Sequence, residues 1–263
     1  MKKIFALLLA VIMVLSLAAC GGGAEKGSTL VYGSGDYDSI NPIMNEHCEI
    51  KHLLFDSLVK LDKNGDPVAS LAESWTYDDA TLTYTFKLRD GLKWSDGEKL
   101  DAEDLVYSWN RLANPNTAAD YSYLCDSMNL VRNDDGTLGV EASDDGLTFT
   151  CHLTRPCAYF LDLCAFPAFF PVPEQAVTKA DPNGENPGAW ALESGFVTSG
   201  PMTCTAWKHN ESMTYEKNPN YWNAETVSVM GAVTRSSVVM TASQSTITSR
   251  RRKEDCTGTR SML

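Results

Sequence analysis

The residues best suited to chemistry in this sequence are scattered, and each group admits a plain structural reading. His47, Cys48 and His52 are the one cluster of metal-ligand type. Imidazole and thiolate would suit zinc or nickel. A step of five residues puts His47 and His52 on different sides of a helix, however, so no metal is expected there. His152 follows Cys151 on a strand pattern that sends neighbours to opposite faces, which works against joint ligation. Asp78-Asp79, Asp134-Asp135 and Asp144-Asp145 offer paired carboxylates for acid–base work. Each pair stands at a turn, where Asp bonds its own backbone. Trp75, Trp94, Trp109, Trp190, Trp207 and Trp222 could stack on sugar rings, although large aromatic residues more often fill a core. The basic run Arg250–Lys253 has the form of a nucleic-acid patch, but a chain of net charge −12 suits no polyanion. With no nucleophile elbow, phosphate loop or HExxH motif, no catalytic residue and no cofactor is expected.

The residue with the clearest chemical assignment is Cys20. Lys2 and Lys3 precede an apolar run from Ile4 to Ala19, the pattern of a secretory signal peptide over residues 1–19. Leu17-Ala18-Ala19-Cys20 resembles the bacterial lipobox, in which the cysteine becomes the acylated N-terminus. More than one acyl chain makes such an anchor stable. Gly21 to Ser28 then form a flexible leash. The expectation is an exported protein tethered by lipid to the outer face of the cytoplasmic membrane or in the periplasm. Seven cysteines remain after Cys20, an odd number that leaves at least one thiol unpaired. Cys157 and Cys164 are close enough in sequence to pair.

The elements that would position these residues are legible in the middle of the chain. Leu82, Tyr84, Phe86 and Leu88 alternate with polar residues, the period of a half-buried strand. Turns follow at Asp90-Gly91 and Ser95-Asp96-Gly97. Asp101 and Asp104 open a helix whose apolar face carries Leu105, Trp109 and Leu112, and Asn114-Pro115 ends it. The pattern DDATLTYTFKL returns as DDGLTFTCHL at Asp144 to Leu153, so the two strands could share one sheet.

The stretch LAESWTYDDATLTYTFKLRDGLKWSDGEKLDAEDLVYSW resembles the signature region of the extracellular solute-binding proteins of family 5. The pieces LFDSLVKLDKNGDPVASLAESW, FPVPEQAV, SGPMTCTAW and YEKNPNYWNAETV agree with that family in the same order. YSWNRLANPNTAADYSYL is similar to its oligopeptide-binding branch. The resemblance covers about residues 29–227 and implies a mixed α/β, periplasmic-binding-protein-like fold with two lobes. It implies a receptor, not an enzyme, that acts as a monomer, captures oligopeptides and delivers them to the permease subunits of an ABC importer. In such receptors the peptide lies extended and bonds main chain. By position, Tyr121 matches a tyrosine that lines the peptide site. Asn45, Glu46 and His47 fall where the first lobe offers main chain to the peptide. Other readings are a nickel, haem or oligosaccharide receptor of the same family, an exported hydrolase, or a scaffold lipoprotein.

The resemblance places residues 29–55 and 174–226 in the first lobe and residues 56–173 in an inserted subdomain. Beyond them the composition changes. Residues 227–263 hold 13 Ser and Thr and none of the chain's aromatic residues. Loss of Lys2 and Lys3 with the signal takes the net charge from −12 to −14, and the +4 of residues 227–263 leaves −18 over residues 20–226. An aberrant, disordered tail is expected from Val227 onward, either from a shifted reading frame shortly after Trp222 or as a natural short form. The closing strands of the first lobe and the whole second lobe would then be missing, and peptide binding impaired.

Overall fold

Helix α2, Ala102–Ala113, lies at the centre of the larger of two cores. Asp101 caps it: the Asp101 carboxylate accepts from Glu103 N at 3.0 Å, and Asp104 Oδ2 accepts from Asp101 N at 3.0 Å. These bonds satisfy amides that the first helical turn leaves without partners. Leu105, Trp109 and Leu112 are fully buried along one face. Trp109 meets Phe149 and Phe169 edge to face, each at 5.0 Å between ring centroids, and donates its indole N–H to Phe169 O.

The computed structural model describes residues 28–34, 37–43 and 50–236. Helix α2 packs on an antiparallel sheet of β4 (Ala72–Asp78), β5 (Thr83–Leu88), β7 (Thr148–His152) and β6 (Val140–Ala142), in that spatial order. The two strands with the repeated pattern, β5 and β7, are direct neighbours, with Phe86 opposite Phe149. Leu82 departs from the expected strand: it has φ +53° and sits in the turn before β5. The Asp residues of the three pairs do close turns. Asp78 accepts from Ala80 N, Asp135 from Thr137 N and Asp145 from Leu147 N. A small ribbon of β2 (Val59–Leu61) and β3 (Pro67–Ala69) and the short helices α3 (Leu124–Ser127) and α4 (Phe160–Cys164) complete this middle unit.

The second core belongs to a split unit, drawn from residues 37–55 and 170–232. Its sheet runs β1 (Ser28–Ser34), β10 (Val229–Ser236), β9 (Ser212–Lys217), β8 (Met202–Lys208). Strand β1 lies parallel to β10 and the other pairs are antiparallel. Helices α1 (Lys51–Leu54) and α5 (Glu174–Ala180) belong to this unit. Apart from Ile43, which packs in the first core, core membership changes between Phe55 and Leu58 and again between Phe169 and Phe170.

The tail expected from Val227 begins, in part, as ordered sheet. Residues 229–236 form β10, which lies between β1 and β9 and so supplies a closing strand thought to be missing. The loss of aromatic residues suggested the break, but a strand needs only alternation. Ala232 and Thr234 are buried toward the core, while Val233 between them is half-exposed. The rest of the tail, 237–263, lies outside the described residues, as do Cys20 and the segment 44–49.

Cys157 and Cys164, close enough in sequence to pair, are not joined. Cys125, Cys151, Cys157, Cys164 and Cys204 are free and buried. Cys164 is the last residue of helix α4, and Cys157 lies before that helix begins.

Candidate functional site

Tyr121 is placed by the end of α2. Asn114 stops the helix with an extended backbone, and its side chain accepts from Asn116 N at 2.9 Å. Residues Pro115–Thr117 make one tight helical turn, and Ala118 takes φ +49°. The chain thus reverses at the rim of the middle unit, and Tyr121 comes to lie half-buried against Phe166, with ring centroids 4.9 Å apart and planes at 83°. That edge-to-face contact fixes the ring and leaves part of it open. Tyr123, 57% exposed, stands 6.2 Å from Tyr121. Tyr159, also exposed, donates its hydroxyl to Ser127 O at 2.9 Å. The result is an aromatic ledge that can hold apolar or aromatic groups by stacking. The resemblance points to Tyr121 by position and gives no hint of its contact with Phe166. Its only local signal was an aromatic residue before a proline.

Asn45, Glu46 and His47 lie outside the described residues. His47 and Cys48 of the metal-type cluster share that segment. His52 is exposed at the surface, edge-on to Phe170 at 5.2 Å. Among the described residues no group of three His, Cys, Asp or Glu is arranged to hold a metal ion. His152 has Nδ1 3.1 Å from Thr83 Oγ1 and Nε2 3.6 Å from Glu141, a surface arrangement. Of the tryptophans, Trp94, Trp109, Trp190 and Trp207 are buried and present no face for a sugar.

A groove of about 1090 Å³ runs between α2 and α5. Glu103, Asp135, Glu174 and Asp181 give it an acidic wall. Arg111 lines it too, but its guanidinium is buried and donates to Pro187 O. Next to it lies a smaller cleft of about 280 Å³ bordered by Asp104. Burial pushes the Asp104 carboxyl up to about 6, against the opposing bonds from Asp101 N and the Trp94 indole. Tyr121 borders neither cavity.

Comparisons with known proteins agree with this architecture. The family model for bacterial extracellular solute-binding proteins, family 5 Middle, matches residues 66–252. The periplasmic oligopeptide-binding protein OppA of Salmonella typhimurium is 37% identical over 217 residues, which is 78% of this chain and 38% of that protein. Haemophilus influenzae OppA in complex with RPPGFSPFR superposes with a TM-score of 0.74 at 28% identity, over 88% of this chain and 45% of that one. Listeria monocytogenes OppA bound to peptide gives 0.72 at 31% identity, over 81% and 43%. The chain therefore spans less than half the length of the proteins it resembles. The mixed α/β fold is that of the periplasmic binding proteins, over this part of it. By the extent of the family match, the chain belongs to the bacterial extracellular solute-binding proteins of family 5.

Proposed function

We propose that the chain is part of an exported receptor that captures oligopeptides and hands them to the permease of an ABC importer. The observation that carries this reading is the aromatic ledge. Tyr121, the residue that matches a peptide-lining tyrosine, packs against the edge of the first core and on Phe166, with part of its ring left open. An aromatic ledge takes many side chains without discrimination, while main-chain bonds supply the common affinity. Asn45, Glu46 and His47 would offer those bonds from the first lobe. Residues 29–55 and 174–226 form that lobe and residues 56–173 the inserted subdomain. Cys20 is the lipid anchor that keeps the receptor at the outer face of the membrane, where it works as a monomer. The relatives named above carry oligopeptide-binding names, and this supports peptides over nickel, haem or sugars as the ligand.

Residues 20–263 cover less than half the length of those relatives, and on their own they would hold a peptide by part of its contacts. Residues 20–263 alone should bind more weakly than micromolar, which is about −8 kcal/mol. A photo-crosslinking test tolerates weak binding. Tri- to pentapeptides bearing benzoylphenylalanine are irradiated with the purified chain, the labelled positions are mapped by mass spectrometry, and the free peptide is recovered. Labelling concentrated at residues 118–123 and 159–166, lost in Tyr121→Ala, with the peptide returned uncut, supports a receptor. Labelling spread over the surface, or cleaved peptide, overturns it.

A further inference from the structure

The groove between α2 and α5 stands apart from the Tyr121 ledge and combines two kinds of charge. We propose that it is a second binding site, for a short peptide segment that carries lysine or arginine. Glu103 and Glu174 border both the groove and the smaller cleft beside it, so the two cavities form one acidic track. Both side chains are exposed, and neither forms an ion pair among the described residues. Lys99 brings the one ammonium to the cleft, and Asp101 takes it at 2.9 Å. Like charges crowd there: after burial, the charges of Asp101 and Glu174 are what raise the Asp104 carboxyl. Among the described residues no three acids are arranged to hold a metal ion, and carboxylates strung along a track suit an extended cation better than a compact one.

A second observation concerns the groove's only guanidinium. Arg111 is 9% exposed and lines the groove, yet its Nη1 has no hydrogen-bond partner. Pro187 O is already used, because it accepts from Arg111 Nη2 and from Asn41 Nδ2. Asp181 lies near enough to act on the guanidinium, but its two oxygens accept from Glu185 N and Asn186 N, each at 2.9 Å. A buried charged donor without an acceptor costs free energy that an incoming oxygen would recover. A simple polyamine has no such oxygen, and Arg111 would repel it. A basic peptide has both parts: carbonyl oxygens for Arg111, and ammonium or guanidinium ends for Glu103 and Glu174. Val106, Tyr107 and Val177 also line the groove and offer apolar surface to the methylene stems. A volume of about 1090 Å³ leaves room for several residues.

The test titrates the purified full chain with the peptide N-acetyl-Lys-Gly-Lys-Gly-Lys amide. Binding should weaken about tenfold in the double variant Glu103→Gln/Glu174→Gln. The control Glu141→Gln/Glu216→Gln removes the same charge from exposed positions on β6 and β9 and should leave binding unchanged. Equal loss in both variants would mean general attraction to an acidic chain and overturn the site. Spermidine matches the peptide in charge but has no carbonyl, so it should bind at least about tenfold more weakly. Equal binding overturns the peptide assignment, as does no binding at about 1 mM peptide. The site does not rest on the receptor reading. Saturating basic peptide should leave benzoylphenylalanine labelling at residues 118–123 and 159–166 unchanged; loss of that labelling would put the basic peptide on the ledge and overturn a separate site. Absent ledge labelling beside intact binding in the groove would sink the receptor reading alone.

Discussion

Asp104 shows how one side chain can serve a helix and cost it stability at the same time. It completes the cap of α2 and accepts from the Trp94 indole, yet burial raises its pKa from 3.8 to about 6. Between those values the folded chain holds a proton that the unfolded chain has released. The contribution of this group to stability therefore falls as pH rises from about 4 to about 6, and levels off above. A rise of this size corresponds to at most about 3 kcal/mol. Asp104→Asn keeps an acceptor for the cap without the charge. Urea titrations at several pH values should show the variant gaining on the wild type by about 1–3 kcal/mol across that window; a constant difference would contradict it. Gly200 makes the opposite case, where nothing can be added. A methyl group there would press on the backbone of Leu54 and Phe55, and Gly200→Ala should cost about 3 kcal/mol or more, read as a drop in the denaturation midpoint.

At the scale of elements, α2 and β10 are stabilised by different means. Helix α2 has its own cap and a buried apolar stripe, so its existence was readable from the spacing of Leu105, Trp109 and Leu112. Strand β10 has few large side chains and depends on its neighbours. It is paired on both sides, with Val233 opposite Val31 of β1 and Thr214 of β9. Proline at 233 would remove a donor and crowd the ladder of a strand with two partners. Val233→Pro should strip amide-exchange protection from β9 while β5 and β7 keep theirs. Unchanged protection in β9 would mean that the sheet does not need β10. The far side of β1 remains uncovered among the described residues, with Leu30 and Val31 52% and 51% exposed.

For the molecule as a whole, the cysteines report on the integrity of both cores. Burial pushes the Cys125 and Cys204 thiols up to about 12, and Cys151 and Cys164 well above their usual range. A thiol reacts as thiolate, so Cys125, Cys151, Cys164 and Cys204 should resist alkylation at pH 8 in the native chain. They should react at the rate of global unfolding, followed site by site by mass spectrometry. Fast labelling of Cys204 alone would mark the split unit as the less stable of the two.

Local patterns could be read directly from the order of residues. A period of two wrote β5 and β7, a period near four wrote the face of α2, and Asp and Gly pairs wrote the turns, because each depends on neighbours a few residues away. It also carried the family likeness, and with it Tyr121. Contacts across long separations came instead from the packing of the folded chain. Phe166 meets Tyr121 from 45 residues on, and Trp222 meets Asp56 from 166 residues on. No window along the chain holds either pair, and the same holds for β10, which becomes a strand because β1 and β9 offer it two edges. The motifs SGP and NPNYW were visible as resemblance, but the bonds from Asn218 Nδ2 to Gly200 O and from the Trp222 indole to Asp56 appear only when the segments are folded together.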